Sequence, residues 1–199
     1  MIISVLSLKG GVGKTYSAIH LAACSAKQSK TIVLDADEEG SALSWADNAI
    51  AQQKALPFEV IRADRNNLAK QTRELEKQAV VIMDTPPNSR EILQVAGMLA
   101  NVVVIPVSPT GVDVDRLAGT LNMIENIEAT RGHFITGILL TRVDKREKLG
   151  NEARETLKDY PVFKTQIRTL KRYKDMFGQN PAYLDEYQAA FEEILEAMR

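Results

Sequence analysis

A glycine-rich run near the start of the chain has the residue types and spacing that bind phosphate. It spans Lys9 to Thr15 (KGGVGKT), between an apolar run, Ile2–Leu8, and a helical pattern that begins near Ala18. Glycines let a backbone bend tightly and turn its N–H groups inward, and the following helix directs its positive N-terminus at the same point. The run therefore predicts a nucleotide site in which Lys14 contacts the β- and γ-phosphates and the Thr15 hydroxyl binds Mg²⁺.

Acidic residues follow two further apolar runs. Asp35 and Asp37 come after Thr31–Leu34, and Asp84 ends the run that begins at Val80. Ligands of doubly wound folds collect at the carboxyl ends of the strands. Asp84 therefore predicts a contact with the Mg²⁺ shell through water, because Mg²⁺ gives up its waters reluctantly. The spacing of Asp35 and Asp37 suits one carboxylate near the metal and one near an attacking water, with a solvated acidic turn as the alternative.

Short apolar runs that alternate with longer helical stretches must position these residues. The runs are Ile2–Leu8, Thr31–Leu34, Phe58–Ile61, Val80–Met83, Val102–Val107 and Ile135–Leu140, with a weaker one near Val162–Phe163. Most are unbroken, which is typical of strands inside a parallel sheet covered by helices. The alternation predicts a doubly wound α/β fold with a mainly parallel sheet. Apolar residues three or four apart between Leu184 and Met198 predict a closing amphipathic helix that docks onto the core.

Composition excludes several classes of protein. The chain has 199 residues, 25 Lys and Arg against 26 Asp and Glu, and one cysteine, Cys24. A single cysteine excludes a disulfide framework and a cysteine-ligated cluster within one chain. No apolar run approaches the ~20 residues that cross a bilayer, so we expect a cytoplasmic protein. The near-neutral charge argues against coating nucleic acid by bulk charge, although a local basic patch remains compatible with it.

One segment concentrates positive charge. Within eleven residues and with no acid among them, the chain carries Lys164, Arg168, Lys171, Arg172 and Lys174. If a helix begins at Thr165, then Arg168, Lys171 and Arg172 share one face. That geometry suits contact with DNA phosphates without readout of bases. A solvated helix face is the alternative interpretation.

The loop from Lys9 to Thr15 resembles the deviant Walker A loop of the ParA/MinD class of P-loop ATPases, and the resemblance runs over most of the chain. Leu8 stands where the strict phosphate-loop pattern has glycine, and Lys9 lies inside the loop. The resemblance implies an ATP-dependent homodimer in which Lys9 reaches across to the partner's nucleotide. It also makes Asp37 the residue that orients water, Asp35 a second-shell partner of Mg²⁺, and Val80–Asp84 a Walker B strand.

The same resemblance implies ATP and Mg²⁺ as cofactors. Catalysis would involve Lys9, Lys14 and Asp37. The nucleotide would be bound by Lys9, Gly10, Gly11, Val12, Gly13, Lys14, Thr15, Tyr16, Pro106, Thr141 and Arg142, and the metal by Thr15, Asp35 and Asp84. Tyr16 stands where the family often has a second threonine. Thr141-Arg142-Val143-Asp144 is also similar to a guanine-recognition motif, but arginine in place of lysine favours ATP. Asp113 and Asp115 belong either to a dimer-facing segment or to an exposed helix start.

Short ParA-type partition proteins are the relatives that this resemblance suggests. It implies a single P-loop ATPase domain over residues 1–199, with no N-terminal helix-turn-helix domain. We expect nonspecific DNA binding by the dimer, weak ATPase activity stimulated by a ParB-like partner, and positioning of a plasmid or another cargo. The protein would then associate with the nucleoid when it is bound to ATP.

Two other functions remain as alternatives. A MinD-like ATPase would act on a membrane surface, but the acidic tail around Glu192 and Glu193 would be repelled by anionic lipid, so no membrane partner is expected. A metabolic P-loop enzyme would need a second group of substrate-binding residues, and the sequence suggests none.

Overall fold

Six parallel strands form one sheet in the computed structural model, which describes residues 1–144 and 146–199 apart from the side chain of residue 174. The strands are β1 (Ile2–Val5), β2 (Thr31–Asp35), β3 (Glu59–Arg62), β4 (Val80–Asp84), β5 (Val102–Val107) and β6 (Ile135–Leu140). Their order across the sheet is β3-β2-β4-β1-β5-β6. This topology confirms the predicted doubly wound α/β fold of a P-loop domain.

Helices cover both faces of this sheet. In the described part of the chain they are α1 (Lys14–Ser25), α2 (Ser41–Ala51), α3 (Leu68–Leu75), α4 (Arg90–Leu99), α5 (Gly111–Arg131), α6 (Leu149–Thr156), α7 (Lys171–Lys174) and α8 (Asp185–Ala197). One core packs α3, α4, α5 and α6 against the sheet, and the other packs α1, α2, α7 and α8. Strands between two such layers are apolar on both faces, which explains their unbroken apolar runs.

The register of the central strands brings the predicted acidic residues together. Asp84 at the end of β4 is in register with Val5 of β1 on one side and with Asp35 of β2 on the other. The loop that follows β1 therefore starts beside both carboxylates. This is the carboxyl edge of the sheet, where doubly wound folds bind ligands.

The predicted closing helix is confirmed as α8. Its buried residues Tyr187, Ala190, Phe191 and Ile194 lie on one stripe and pack in the core beside α1. In the described residues, no helix is both long enough and apolar enough to span a bilayer.

The segment before α7 differs from the prediction, because no helix begins at Thr165. Instead, Val162 and Arg168 form isolated parallel bridges with Ile138 and Val143, along the edge of β6. The backbone of this segment satisfies edge groups that a helix would leave unpaired: Ile167 N donates to Leu140 O at 2.8 Å. The weak strand predicted near Val162 is thus only a bridge. The predicted shared helical face of Arg168, Lys171 and Arg172 is wrong, because only Lys171–Lys174 is helical.

Candidate nucleotide-binding site

The phosphate loop is shaped by glycines in conformations that other residues rarely adopt. Gly11 and Gly13 have φ angles of 77° and 93°, and Gly13 directly precedes α1. The Thr141 hydroxyl donates to the carbonyl oxygen of Val12 at 2.8 Å and so links the loop to the end of β6. The loop therefore lies over the N-terminus of α1, as an anion-binding loop requires.

Lys14 folds back into this loop. Its side chain is buried, and its Nζ donates to the carbonyl oxygen of Lys9 at 2.9 Å. Burial lowers the pKa of Lys14, while the negative charges of Asp84 and Asp37 oppose that shift. A bound triphosphate would provide an anionic partner for the ammonium in place of a neutral carbonyl.

Asp84 is a buried carboxylate whose oxygens lack partners. The residue is 1% exposed, and neither of its oxygens has a hydrogen-bond partner of acceptable geometry. Burial raises the pKa of Asp84 to about 7, although the nearby Thr15 hydroxyl and the Lys14 ammonium lower it. A hydrated cation beside this carboxylate would replace the favourable interactions with water that burial removes.

The residues at this point fit Mg²⁺. Asp84 and Thr15 supply hard oxygen donors, and the described residues contain no cluster of three His, Cys, Asp or Glu side chains that would form an all-protein cage. Mg²⁺ in nucleotide sites takes few protein ligands and completes its octahedron with phosphate oxygens and waters. The chemistry of the donors therefore agrees with a metal bound together with a nucleotide.

Asp35 has a structural role in its turn, whereas Asp37 faces a cavity. Asp35 is fully buried, and its two oxygens accept hydrogen bonds from Asp37 N at 3.1 Å and Leu43 N at 2.9 Å. Burial raises the pKa of Asp35, and these backbone hydrogen bonds partly offset that shift. Asp35 thus holds the turn between β2 and α2 in place. Asp37 is only half-buried and lines the cavity over the phosphate loop.

One cavity of about 450 Å³ brings most of the predicted site together. Its walls come from the phosphate loop, the β2–α2 turn and the loops after β4 and β6, and include Gly10, Gly11, Gly13, Lys14, Thr15, Tyr16, Asp37, Pro87 and Arg142. Arg142 has a φ angle of 55°, which is uncommon for a residue with a Cβ and often marks a functional turn. The arrangement can hold a triphosphate at the loop with a carboxylate beside it.

An adjoining cavity of about 430 Å³ shares Gly13, Tyr16 and Arg142 with the first. Its far wall is the segment Ile167–Leu170 together with Tyr173 and Tyr187, and its lining is mainly apolar. A purine ring fits such a surface, since bases bind between apolar and aromatic side chains. The sequence analysis did not place these residues near the nucleotide, because Ile167–Leu170 and Tyr173 stand in the basic segment and Tyr187 lies in the closing helix α8.

Two residues predicted to contact the base lie elsewhere or do other work. Pro106 is buried within β5, in register with Leu139, and lines neither cavity. Thr141 does line the second cavity, but its hydroxyl is used by the carbonyl oxygens of Val12 and Val107. Nucleotide contact by Pro106 therefore stays a prediction that the two cavities do not support, and Thr141 braces the phosphate loop.

Lys9 is paired within its own chain. Its ammonium forms an ion pair with Asp113, which is 8% exposed in the first turn of α5, whereas Asp115 is exposed. The interpretation of Asp113 as part of an exposed helix start is thus wrong. Leu8 N also donates to Thr120 Oγ1 at 3.3 Å, so α5 contacts both the first residue of the phosphate loop and the residue before it.

The basic segment is held by carboxylates of α8. Glu186 accepts hydrogen bonds from both the backbone N and the guanidinium of Arg168, and Glu193 accepts from Lys164 N and Thr165 N, each at 2.7 Å. The Nη2 atom of Arg172 lies 3.6 Å from the Oδ2 atom of Asp185. The side chains of Lys164 and Lys171 are exposed, while that of Lys174 lies outside the described residues. The positive charge of the segment is therefore partly neutralised by its neighbour.

The chain is similar to a family of domains, to individual proteins and to solved structures. The model of the CobQ/CobB/MinD/ParA nucleotide binding domain family matches residues 3–180. The chain is 34% identical to Maintenance of carboxysome distribution protein A of Gloeobacter kilaueensis, over 87% of this chain and 79% of that protein. It is 29% identical to Sporulation initiation inhibitor protein Soj of Bacillus subtilis, over 83% of each.

Two solved structures share the fold across nearly the whole chain. Apo McdA from Cyanothece superposes with a TM-score of 0.77 at 19% identity, covering 100% of this chain and 99% of that one. A putative plasmid partition protein of Borrelia burgdorferi, bound to AMPPNP, gives a TM-score of 0.77 at 20% identity and covers 98% of each chain.

Proposed function

Because the chain belongs to the CobQ/CobB/MinD/ParA family of nucleotide-binding domains, we propose that it is an ATP-driven positioning switch. ATP and Mg²⁺ bring two subunits together, the dimer binds DNA nonspecifically, and slow hydrolysis releases it. The observation that carries this proposal is the meeting of the phosphate loop, Asp37 and the unpartnered Asp84 at one edge of the sheet.

Each of these residues has a distinct task in the proposed hydrolysis. Backbone N–H groups of the loop and the Lys14 ammonium bind the phosphates and stabilise charge on the γ-phosphate. Thr15 and Asp84 would hold Mg²⁺, which neutralises charge on the β- and γ-phosphates when it is bound. Asp37 is half-buried at the mouth of the cavity, where it can orient the attacking water.

Dimerisation is proposed to depend on Lys9. In the monomer its ammonium is neutralised by Asp113, so the loop carries no unpaired cation at this point. In the ATP-bound dimer, Lys9 leaves Asp113 and contacts the partner subunit's nucleotide, as a cation supplied in trans to a phosphoryl group. The gain from the triphosphate's larger negative charge would favour this exchange.

DNA binding is proposed to use the segment from Lys164 to Lys174. Lys164 and Lys171 are exposed, and Arg168 and Arg172 add charge that Glu186 and Asp185 partly offset. A monomer with few available cations would bind DNA weakly, whereas two copies in one dimer add their contacts and raise the effective concentration. DNA binding would therefore follow ATP binding, and the ATP-bound protein would localise to the nucleoid.

The cargo and the stimulating protein belong to the same proposal. One relative is named for carboxysome distribution and one structural neighbour for plasmid partition, which supports a plasmid or a protein body as cargo. A partner of the ParB kind, bound to that cargo, would stimulate hydrolysis and release the dimer from DNA.

Co-sedimentation with DNA, with and without ATP and Mg²⁺, tests the proposal. We expect binding only with ATP, and no binding to anionic liposomes measured in parallel. The variant Lys164→Glu with Lys171→Glu should bind DNA weakly, and the slope of log affinity against log salt should fall in magnitude by about 2 per subunit.

A matched control changes the same charge elsewhere. Lys70 and Lys77 are exposed near α3, on the other face of the sheet, so Lys70→Glu with Lys77→Glu should bind DNA as the wild type does. Equal loss in both variants would show a bulk charge effect. ATP-dependent binding to liposomes in place of DNA would favour the membrane-surface alternative.

A further inference from the structure

A groove runs along a side of α5 that neighbours the side in contact with the phosphate loop. Two cavities of about 580 and 380 Å³ share Leu121 and Tyr160 and so form one continuous depression. Their α5 wall is a stripe at helical spacing: Val114, Ala118, Leu121, Glu125 and Glu128. Asp115 and Glu128, near its two ends, are 13 residues apart, which is about 20 Å along the helix.

The floor of the groove is apolar and reaches the surface. Its opposite wall is formed by α6 and the turn after it, through Leu149, Ala153, Leu157 and Tyr160. Leu149 is 36% exposed and Tyr160 is 43% exposed. Contiguous apolar surface with a polar rim is typical of an interaction site on a protein surface.

The rim of the groove has one sign of charge. Asp115 and Glu152 line its first half, and Glu125 and Glu128 line its second half. Among the described residues that line it, none is a lysine or an arginine, and His133 is paired with Glu128.

Three cations close in sequence to the groove residues contact other groups or line another cavity. The Arg154 guanidinium donates to the carbonyl oxygens of Phe163 and Lys164, and Lys158 pairs with Glu155. Arg116, next to Asp115 in sequence, lines the separate cavity beside Lys9. The acidic rim of the groove is therefore not neutralised by these side chains.

From this geometry we propose that the groove is the docking site for a basic amphipathic helix of a partner protein. An apolar stripe on that helix packs on the floor, and its lysines or arginines meet the exposed rim carboxylates of Asp115, Glu125 and Glu152, whereas Glu128 is paired with His133. A groove of about 20 Å accommodates some three to four helical turns. The docking does not depend on ATPase activity.

A second copy of this chain fits the groove poorly. Its 13-residue helix α8 begins with Asp185 and Glu186, carries Glu192 and Glu193, and buries its apolar stripe in its own core. The basic helix α7 has only four residues. Neither α7 nor α8 of a second copy supplies a basic amphipathic helix, so the proposed occupant is a helix of a different protein.

The docked helix would lie next to the nucleotide site. The same α5 that forms the groove wall holds Lys9 through Asp113 and accepts a hydrogen bond from Leu8 N at Thr120 Oγ1. One helix thus contacts the phosphate loop through one face and lines the groove with a neighbouring face.

A synthetic peptide provides the test. The probe is a fluorescent peptide of about 14 residues with leucines on one helical face and lysines on the rest, and its control has the same composition in scrambled order. Binding is measured by anisotropy without nucleotide. We expect saturable binding of the amphipathic peptide to the wild-type protein and at least about tenfold weaker binding of the scrambled one.

Two variants place the site. Glu125→Lys with Glu152→Lys should weaken binding at least about tenfold, because both exposed carboxylates become repulsive. Ala118→Arg, at an exposed position in the middle of the stripe, should do the same by filling the groove. The matched control is Glu74→Lys with Glu76→Lys, at exposed positions on α3 and its C-cap, which should bind as the wild type does.

Three results would overturn the proposal. The first is equal binding of the amphipathic and scrambled peptides. The second is unchanged affinity in the charge-reversed variant or in Ala118→Arg, with circular dichroism showing that the variant is folded. The third is a nucleotide-free dimer, seen by light scattering, that Ala118→Arg dissociates, since a second copy would then occupy the groove.

Discussion

The replacement Asp84→Asn tests whether a strained carboxylate prepares the metal site. Burial raises the pKa of Asp84 from 3.8 to about 7. Ionisation of this group therefore lowers the free energy of unfolding by about 4 kcal/mol. Asparagine has nearly the same shape but does not ionise. The variant without ligand should therefore be more stable than the wild type at pH 8, by roughly 2 to 4 kcal/mol.

The sign of the pH dependence follows from linkage. Between pH 4 and 7 the folded protein keeps the Asp84 proton that the unfolded chain has lost, so the contribution of this group to stability falls as pH rises. The stability difference between variant and wild type should be small near pH 4, grow through this window and level off above pH 7. Burial also lowers the pKa of His20, to about 4, but His20 is common to both proteins and cancels in the difference.

Urea unfolding at several pH values measures this difference directly. An exposed replacement, Glu74→Gln, is the control and should leave stability nearly unchanged at every pH. Addition of ATP and Mg²⁺ should stabilise the wild type and have much less effect on Asp84→Asn. A variant that is less stable than the wild type at pH 8, or a difference that does not change with pH, would refute the reasoning.

Other expected outcomes concern the phosphate loop and its surroundings. Lys14→Ala should abolish ATP binding measured by calorimetry, because the variant lacks the buried ammonium that lies within the phosphate loop; normal binding would contradict the phosphate-loop assignment. Lys9→Ala should keep monomer affinity for ATP but prevent the ATP-dependent dimer in light scattering. Thr141→Val should weaken ATP binding about threefold to tenfold, because it removes the hydrogen bond to the Val12 carbonyl oxygen. Unchanged affinity would show that the loop keeps its shape without this hydrogen bond. Trp45, the only tryptophan, lines the nucleotide cavity, and its ring centroid lies 4.8 Å from that of Tyr16. ATP should therefore change the tryptophan fluorescence of the wild type but not that of Lys14→Ala.

Much of the phosphate site could be predicted from the sequence because its residues are contiguous. The glycines and Lys14 act within one turn of chain, and their spacing alone determines where the backbone N–H groups point. The position of Asp84 could be predicted equally well, since a buried parallel strand that ends in an acid places the acid at the ligand-binding edge. The order of apolar runs likewise predicted the parallel sheet, with strand ends shifted by a few residues: β1 ends at Val5 rather than Leu8.

The errors arose where one segment depends on another that is distant in sequence. The charge pattern around Arg168 suited a helix, but the open edge of β6 and the carboxylate of Glu186 hold that segment extended. Contact of Pro106 with the base was expected only from the family resemblance, and its burial within β5 depends on pairing with the distant strand β6. The pairing of Lys9 with Asp113 joins residues more than a hundred positions apart.

The sequence by itself thus determined the chemistry at the carboxyl edge of the sheet, because loop shape and strand polarity are local properties. Only the tertiary structure decided how that chemistry is held and surrounded. It showed that Asp84 lacks partners, that α8 neutralises part of the basic segment, and that α5 separates the phosphate loop from an acidic groove. Burial and charge pairing depend on which distant segments meet, and that is settled by packing rather than by spacing along the chain.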